Sequence, residues 1–216
     1  MASKFQETTS SENAFDLKFW FSTPRVNCEE FSARLGNYML PSWISSFQIK
    51  SFSNGINPNE IHEEIITSLD YNRQRQIHVV MIGDNQVESN CNEGHRNFMR
   101  VVKELASDFA FMGHHLIICN LSPSVRHYSL EKYRDILFEV TVGLNVILST
   151  EIFATNLHLF NFERWLTNDD GEILSKQYYD PEMTAFNRVG HKKFINEIFD
   201  FIFENIIKED FLLNKK

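Results

Sequence analysis

Ile77-His78-Val79-Val80-Met81-Ile82-Gly83-Asp84-Asn85-Gln86 is an apolar run that stops at a glycine turn with polar side chains at its tip. A short continuous apolar segment bounded by a turn signal reads as a strand buried on both faces. His115 to Leu121 reads as a second such strand. Ile44 to Phe52 alternates apolar and polar residues and reads as a strand that ends at Ser51-Phe52-Ser53-Asn54-Gly55. Ala14 to Phe21 is short and apolar, a first strand or a docking segment, and Asn156 to Phe162 is a last strand. Helices are expected between them. Cys28 to Tyr38 carries Phe31, Leu35 and Tyr38 at helical spacing, with Pro41 beyond. Pro58 to Leu69 has Asn57 as N-cap and Ile61, Ile65 and Leu69 on one side. Glu93 to Phe111 aligns Phe98, Val101, Val102, Leu105 and Phe109. Ser129 to Thr150 aligns Tyr133, Leu137, Val140 and Leu144, with Gly143 weakening its centre. Gly190 to Lys208 repeats Ile198, Ile202 and Ile206. The alternation predicts an α/β fold, a three-layer sandwich with a central parallel sheet and helices on both faces.

The chain has 216 residues, 43% of them hydrophobic, and its 20 Phe favour a packed interior. No internal repeat or linker interrupts it. Residues 15–210 are therefore expected to form one domain, with residues 1–14 a disordered lead and residues 211–216 a polar tail. Met1 to Ala14 carries no signal-peptide-like apolar run. Phe138 to Ala154 is too short and too polar to span a bilayer. A cytoplasmic protein away from membranes is the expectation. Cys28, Cys91 and Cys119 are scattered and read as free thiols. No metal is expected, because His114 and His115 are adjacent and the other histidines are dispersed. No cofactor is expected either, because no phosphate-cradling glycine pattern occurs. The net charge of −8 argues against general binding of DNA or any other phosphate backbone.

Ligands of open parallel sheets sit at the carboxyl ends of the strands. The polar groups expected there are Ser53, Asp84, Asn85, Ser122 and the segment Tyr179-Asp180-Pro181-Glu182-Met183-Thr184-Ala185-Phe186-Asn187-Arg188-Val189-Gly190-His191. This arrangement resembles the SGNH hydrolase superfamily. The resemblance implies a Ser nucleophile in a Gly-Asp-Ser turn after the first strand and a Gly and Asn as oxyanion donors. It also implies an Asp and a His three residues apart in the last loop, the His acting as general base. In this sequence the Gly-Asp-Ser block is replaced by Ser51-Phe52-Ser53, and Asn85 holds the oxyanion position. Asn187 and Gly190 are kept, Glu182 stands for the Asp and Ala185 for the His. With no imidazole at position 185, Ser53 lacks a base. His191 falls inside the helix, facing away, and His62 and His78 remain substitutes. The sequence thus reads as a pseudo-hydrolase with relic positions Ser53, Asn85, Ala185 and Asn187. The alternative is an esterase or lipase with a non-standard triad.

Within the superfamily, IHVVMIGDNQVES, HRNFMRVVKEL, HLIICNLSPSVRHY, LHLFNFERWLTNDDGEIL and FNRVGHKKFINEIFDF resemble the OSK-domain family of insect germ-plasm proteins. That resemblance implies no hydrolysis, binding to 3′ untranslated regions of messenger RNA, and assembly with other germ-granule proteins in ribonucleoprotein granules. Candidate RNA contacts are Arg188, Lys192 and Lys193 at the start of the last helix, and Arg96, Arg100 and Lys103 on one helix face. Arg126 and Tyr128 follow the Ser-Pro turn, where Tyr128 is placed to stack on a base. Arg73 and Arg75 precede the buried strand Ile77–Ile82. Each cluster also reads as an ordinary solvated face, and a protein-interaction scaffold without RNA contact is the third alternative.

Overall fold

The strand that begins the fold, β1 (Phe15–Ser22), lies inside the sheet rather than at its edge. The computed structural model describes residues 14–53, 56–69, 75–84, 91–122, 131–150, 155–162, 166, 176–182 and 184–208. After β1 come α1 (Cys28–Gly36), β2 (Ile44–Ser51), α2 (Pro58–Thr67), β3 (Gln76–Ile82), α3 (Cys91–Ala110), β4 (His115–Cys119), α4 (Glu131–Thr150), β5 (Leu157–Phe160) and α5 (Arg188–Ile202). A single π turn, Phe203–Ile207, continues α5. The five strands are parallel in the order β2-β1-β3-β4-β5.

The two-residue period of the strands divides the core into two layers. Phe15, Leu17, Phe19 and Phe21 of β1, with Ile77, Val79 and Met81 of β3, face α1 and α5. Trp20, Val80, Ile82, Leu116 and Ile118 face α2, α3 and α4. This is the expected three-layer α/β sandwich, with helices on both faces. Phe194 of α5 is the aromatic hub of the first layer. Its ring centroid lies 5.3–6.3 Å from those of Phe21, Phe31, Phe160, Phe162 and Phe186. The expected faces of α3 and α5 are the buried ones, and Val140 and Leu144 of α4 are buried too. Asn57 caps α2 as the sequence suggests, accepting from the Asn59 amide at 3.0 Å. Gly83 turns the chain at the end of β3 with φ 103°, and a Cβ there would lie 2.6 Å from the Phe98 ring.

Several boundaries move. Ala14 is buried, so it belongs to the domain and not to the lead. α1 stops at Gly36, where Asn37 caps it. The last strand is short, because at Asn161 the chain leaves β4 and the Phe162 amide turns to the Asn120 side chain at 2.9 Å. Residues 1–13 and 211–216, the turn Asn168–Gly171, and the side chains of Tyr133 and Leu137 lie outside the described residues.

A histidine row crosses the amino-terminal edge of the sheet. Arg75 donates to His115 Nε2 at 3.1 Å, which leaves His115 Nδ1–H to donate to His158 Nε2 at 3.2 Å. Burial pulls His115 down to about 3 and His158 down to about 4. Both are neutral in the folded protein, whereas in the unfolded chain they titrate near 6.5. Protonation therefore favours unfolding. Their contribution to stability is complete above about pH 6.5 and is lost as pH falls toward 4 and then 3. The urea midpoint is expected to drop between pH 7 and 4.5, and His158→Phe is expected to flatten that slope. Carboxyls with raised values, such as Asp200, are common to both proteins and cancel in the comparison.

Candidate functional site

Three strands deliver polar groups to one carboxyl edge. β1 ends in Ser22-Thr23-Pro24-Arg25, β3 in Gly83-Asp84, and β4 in Asn120-Leu121-Ser122. Asp84 is buried and accepts two hydrogen bonds, from Thr23 Oγ1 at 2.5 Å and from the Ser122 amide at 3.1 Å. Burial pushes its carboxyl up, while the charge of Arg25 and the two hydrogen bonds oppose the shift. Arg25 is 1% exposed and donates from Nη1 to the Thr184 carbonyl at 2.5 Å. The Phe186 amide donates back to the Arg25 carbonyl at 2.7 Å. The last loop is thus strapped to the end of β1, as expected of a loop that returns to this edge. Tyr179 packs beneath it in contact with Ser122, and burial pushes its phenol up.

The relic positions separate once the chain is folded. Asn187 is structural. Its Oδ1 caps α5 by accepting from Val189 and Gly190 at 2.8 and 3.1 Å, and its Nδ2 donates to the Gln177 and Tyr179 carbonyls, each at 2.6 Å. Gly190 is required because a Cβ there would collide with the Tyr178 carbonyl. Ala185 is half-buried, and its carbonyl accepts from Asp180 at 2.8 Å. Asn85 lies outside the described residues.

Ser53 is a correction. It is exposed at the end of β2, the edge strand, whereas the strand beside β3 is β1. The first-strand turn is therefore Phe21-Ser22-Thr23, not Ser51-Phe52-Ser53. Ser22 is fully buried, and its Oγ has no hydrogen-bond partner among the described residues. Thr23 Oγ1 is held between Asp84 and the Arg25 amide, the latter at 3.1 Å. The signal missed was the serine that directly follows the apolar run Phe19-Trp20-Phe21.

The substitute histidines are engaged elsewhere. His191 is buried, accepts from the Asn27 amide at Nε2 (3.2 Å) and donates from Nδ1 to the Asn187 carbonyl (3.0 Å). Burial holds its imidazole below the ordinary value. His62 meets Asp108 at 2.7 Å between α2 and α3. His78 accepts from Trp20 Nε1 at 3.1 Å inside the core. Among the described residues no imidazole hydrogen-bonds to Ser22, Thr23 or Ser53, and no three His, Cys, Asp or Glu are placed to share a metal ion. No described helix is long and apolar enough to cross a membrane. Cys28 and Cys119 are free thiols.

The cations divide between opposite faces of the sheet. Arg188 and Lys192 line a groove of about 570 Å³ between α1 and α5, and Arg34, which the sequence reading missed, joins them there. Arg34 is also paired with Glu30 at 3.3 Å. Lys193 points away and is paired with Glu197. Arg96, Arg100 and Lys103 lie on α3 in the other helical layer, and Arg100 is bound to Glu104 and Asn59 at 3.0 and 2.7 Å. Arg75 covers the Phe15 ring at 4.7 Å. Arg73, Arg126 and Tyr128 lie outside the described residues.

No protein-family model matches this sequence, and no curated protein matches it. Solved structures do match by fold, and they share its α/β architecture. A Streptococcus pneumonia protein described as a platelet activating factor superposes with a TM-score of 0.58 at 13% identity, over 89% of this chain and 86% of that one. The psychrotrophic esterase EstA from a Pseudoalteromonas species gives 0.54 at 12% identity, over 88% and 97%. The OSK domain of Drosophila Oskar shares the fold as well, with 0.50 at 14% identity over 92% and 93%. Likeness at these identities is a likeness of fold.

Removing the Arg25 side chain's charge takes away its hydrogen bond to the Thr184 carbonyl and the nearby charge that opposes the upward push of burial on Asp84. Arg25→Met is expected to destabilise the protein by about 2 kcal/mol in urea unfolding, the scale of a lost charged hydrogen bond that leaves a part-buried carbonyl unpaired. Adding Asp84→Asn is expected to restore part of that loss, as a double-mutant cycle would record.

Proposed function

We propose that this chain is a non-hydrolysing SGNH-fold domain that binds single-stranded or looped RNA, such as a messenger 3′ untranslated region, through the groove between α1 and α5. The observation that carries this reading is the convergence of Arg188 and Lys192 on one groove, where Arg34 stands beside them paired with Glu30 and the lining stays net positive in a chain of net charge −8. Like charges gathered around one hollow repel one another, and a phosphate backbone relieves that repulsion. Tyr38 lines the same groove, where an aromatic ring can stack on an unpaired base. The amino-terminal end of α5 adds a favourable field for anions. The OSK-domain resemblance implies the same ligand class, with assembly alongside other germ-granule proteins in cytoplasmic granules.

The absence of hydrolysis is supported by the carboxyl edge. Buried Arg25 is tied to the last loop at the end of β1, and Ala185 brings no imidazole. One observation favours an esterase reading: the Ser22 hydroxyl at the end of β1 has no partner among the described residues, in a fold shared with EstA. Turnover of p-nitrophenyl acetate that Ser22→Ala abolishes would establish it. We expect no turnover from either protein.

RNA binding is tested by titrating a structured 3′-untranslated RNA and a scrambled control across ionic strength. Arg188→Glu with Lys192→Glu is expected to weaken binding at least about tenfold and to reduce the salt slope by about 1.4, the value for two single-strand phosphate contacts. Lys193→Glu is expected to change little, because Glu197 already holds that lysine. Failure to bind at low salt would sink the proposal and leave a protein-interaction scaffold.

A further inference from the structure

β5 ends the sheet, and a groove of about 650 Å³ runs along it between α4 and α5. The ladder to β4 fixes which backbone groups point outward. Leu116 N bonds to Asn156 O at 2.9 Å, and Asn120 N bonds to Phe160 O at 3.0 Å. In a parallel ladder alternate residues bond to one neighbour, so the even-numbered residues of β5 serve β4. The amides and carbonyls of Leu157 and Leu159 face the groove, with no strand beyond them among the described residues. An edge of this kind is a template for another extended segment.

The walls state what that segment should carry. On the α5 side stand Glu197, Asp200 and Glu204. Lys193 and Lys208 answer Glu197 and Glu204, which leaves the wall net negative. Burial, then Glu197, raises the Asp200 carboxyl, with Glu204 adding to the effect against Lys193. On the α4 side Asn145 lines the groove, and Phe138 and Val142 lie within about 60° of it on the helix. These two residues are 69% and 45% exposed. A phosphate backbone is repelled by the acidic wall. A second copy is disfavoured too, because two-fold pairing of β5 with itself sets one acidic wall against another.

The geometry points to β5 as a strand-addition site for an extended peptide segment of a partner protein, with alternating basic and apolar side chains. Its backbone pairs with Leu157 and Leu159, its Lys or Arg side chains reach Asp200 and its neighbours, and its apolar side chains meet Phe138 and Val142. This surface is separate from the groove between α1 and α5 and does not depend on RNA binding.

The test uses a fluorescein-labelled octapeptide of alternating Lys and Val, with a Glu-for-Lys control, titrated by anisotropy against the full chain. The Lys peptide is expected to bind at least about tenfold more tightly than the Glu peptide, with a gap that narrows in high salt. Amide exchange at Leu157 and Leu159 is expected to slow. Leu159→Pro removes an outward amide that β4 does not use, and Asp200→Lys reverses the wall. Each is expected to weaken binding about tenfold while leaving RNA affinity unchanged. If Leu159→Pro does not fold, the exposed Asp200→Lys decides alone. Equal binding of the two peptides, no binding, unchanged exchange at Leu157 and Leu159, or wild-type affinity in Asp200→Lys would overturn the proposal.

Discussion

A carboxylate at the buried end of a parallel sheet must be answered by the loops around it, because water does not reach it and its charge is costly there. Asp84 occupies that position, and the loops that answer it come from three parts of the chain. Thr23 supplies a hydroxyl, Ser122 an amide and Arg25 a charge. Arg25 in turn needs the Thr184 carbonyl, so the last loop is drawn onto the end of β1. Asn187 then starts α5 at the angle that sends Phe194 into the aromatic layer. One buried carboxyl group and its partners therefore couple the sheet edge, the last loop and the final helix.

The same network gathers polar groups of β1, β3 and the last loop at one carboxyl edge. A hydrolase needs a free hydroxyl, an imidazole and room for a substrate at the ends of β1 and β3. Here the Thr23 hydroxyl is committed to Asp84 and Arg25 is 1% exposed, while the buried Ser22 hydroxyl has no partner among the described residues. His191, the nearest imidazole along the chain, has both nitrogens engaged between α1 and α5. These contacts hold the last loop and the start of α5 in position.

Charge is distributed unevenly over the two remaining surfaces of interest. The start of α5 is basic with Arg34 beside it, and the middle of α5 is acidic beside the open β5 edge. One helix thus presents surfaces of opposite sign to two grooves. A net charge of −8 therefore says little about what either groove attracts, because at physiological salt a charge acts over roughly 8 Å.

The sequence by itself determined the layers. Apolar runs at Ile77–Ile82 and His115–Cys119 and the four-residue repeats of α2 and α5 fix which faces are buried, since burial depends on local periodicity. It also determined that the last loop carries Ala and not His at position 185. Only the tertiary structure decided the strand order. The lateral neighbours of a strand are set by long-range hydrogen bonding, so β1 could not be placed beside β3 from its composition, and Ser53 was read where Ser22 belongs. Only the tertiary structure brought Arg34 to Arg188 and Lys192 and turned Lys193 away. These residues sit on different elements or different sides of one helix, and their juxtaposition follows from how α1 and α5 pack across the same sheet face.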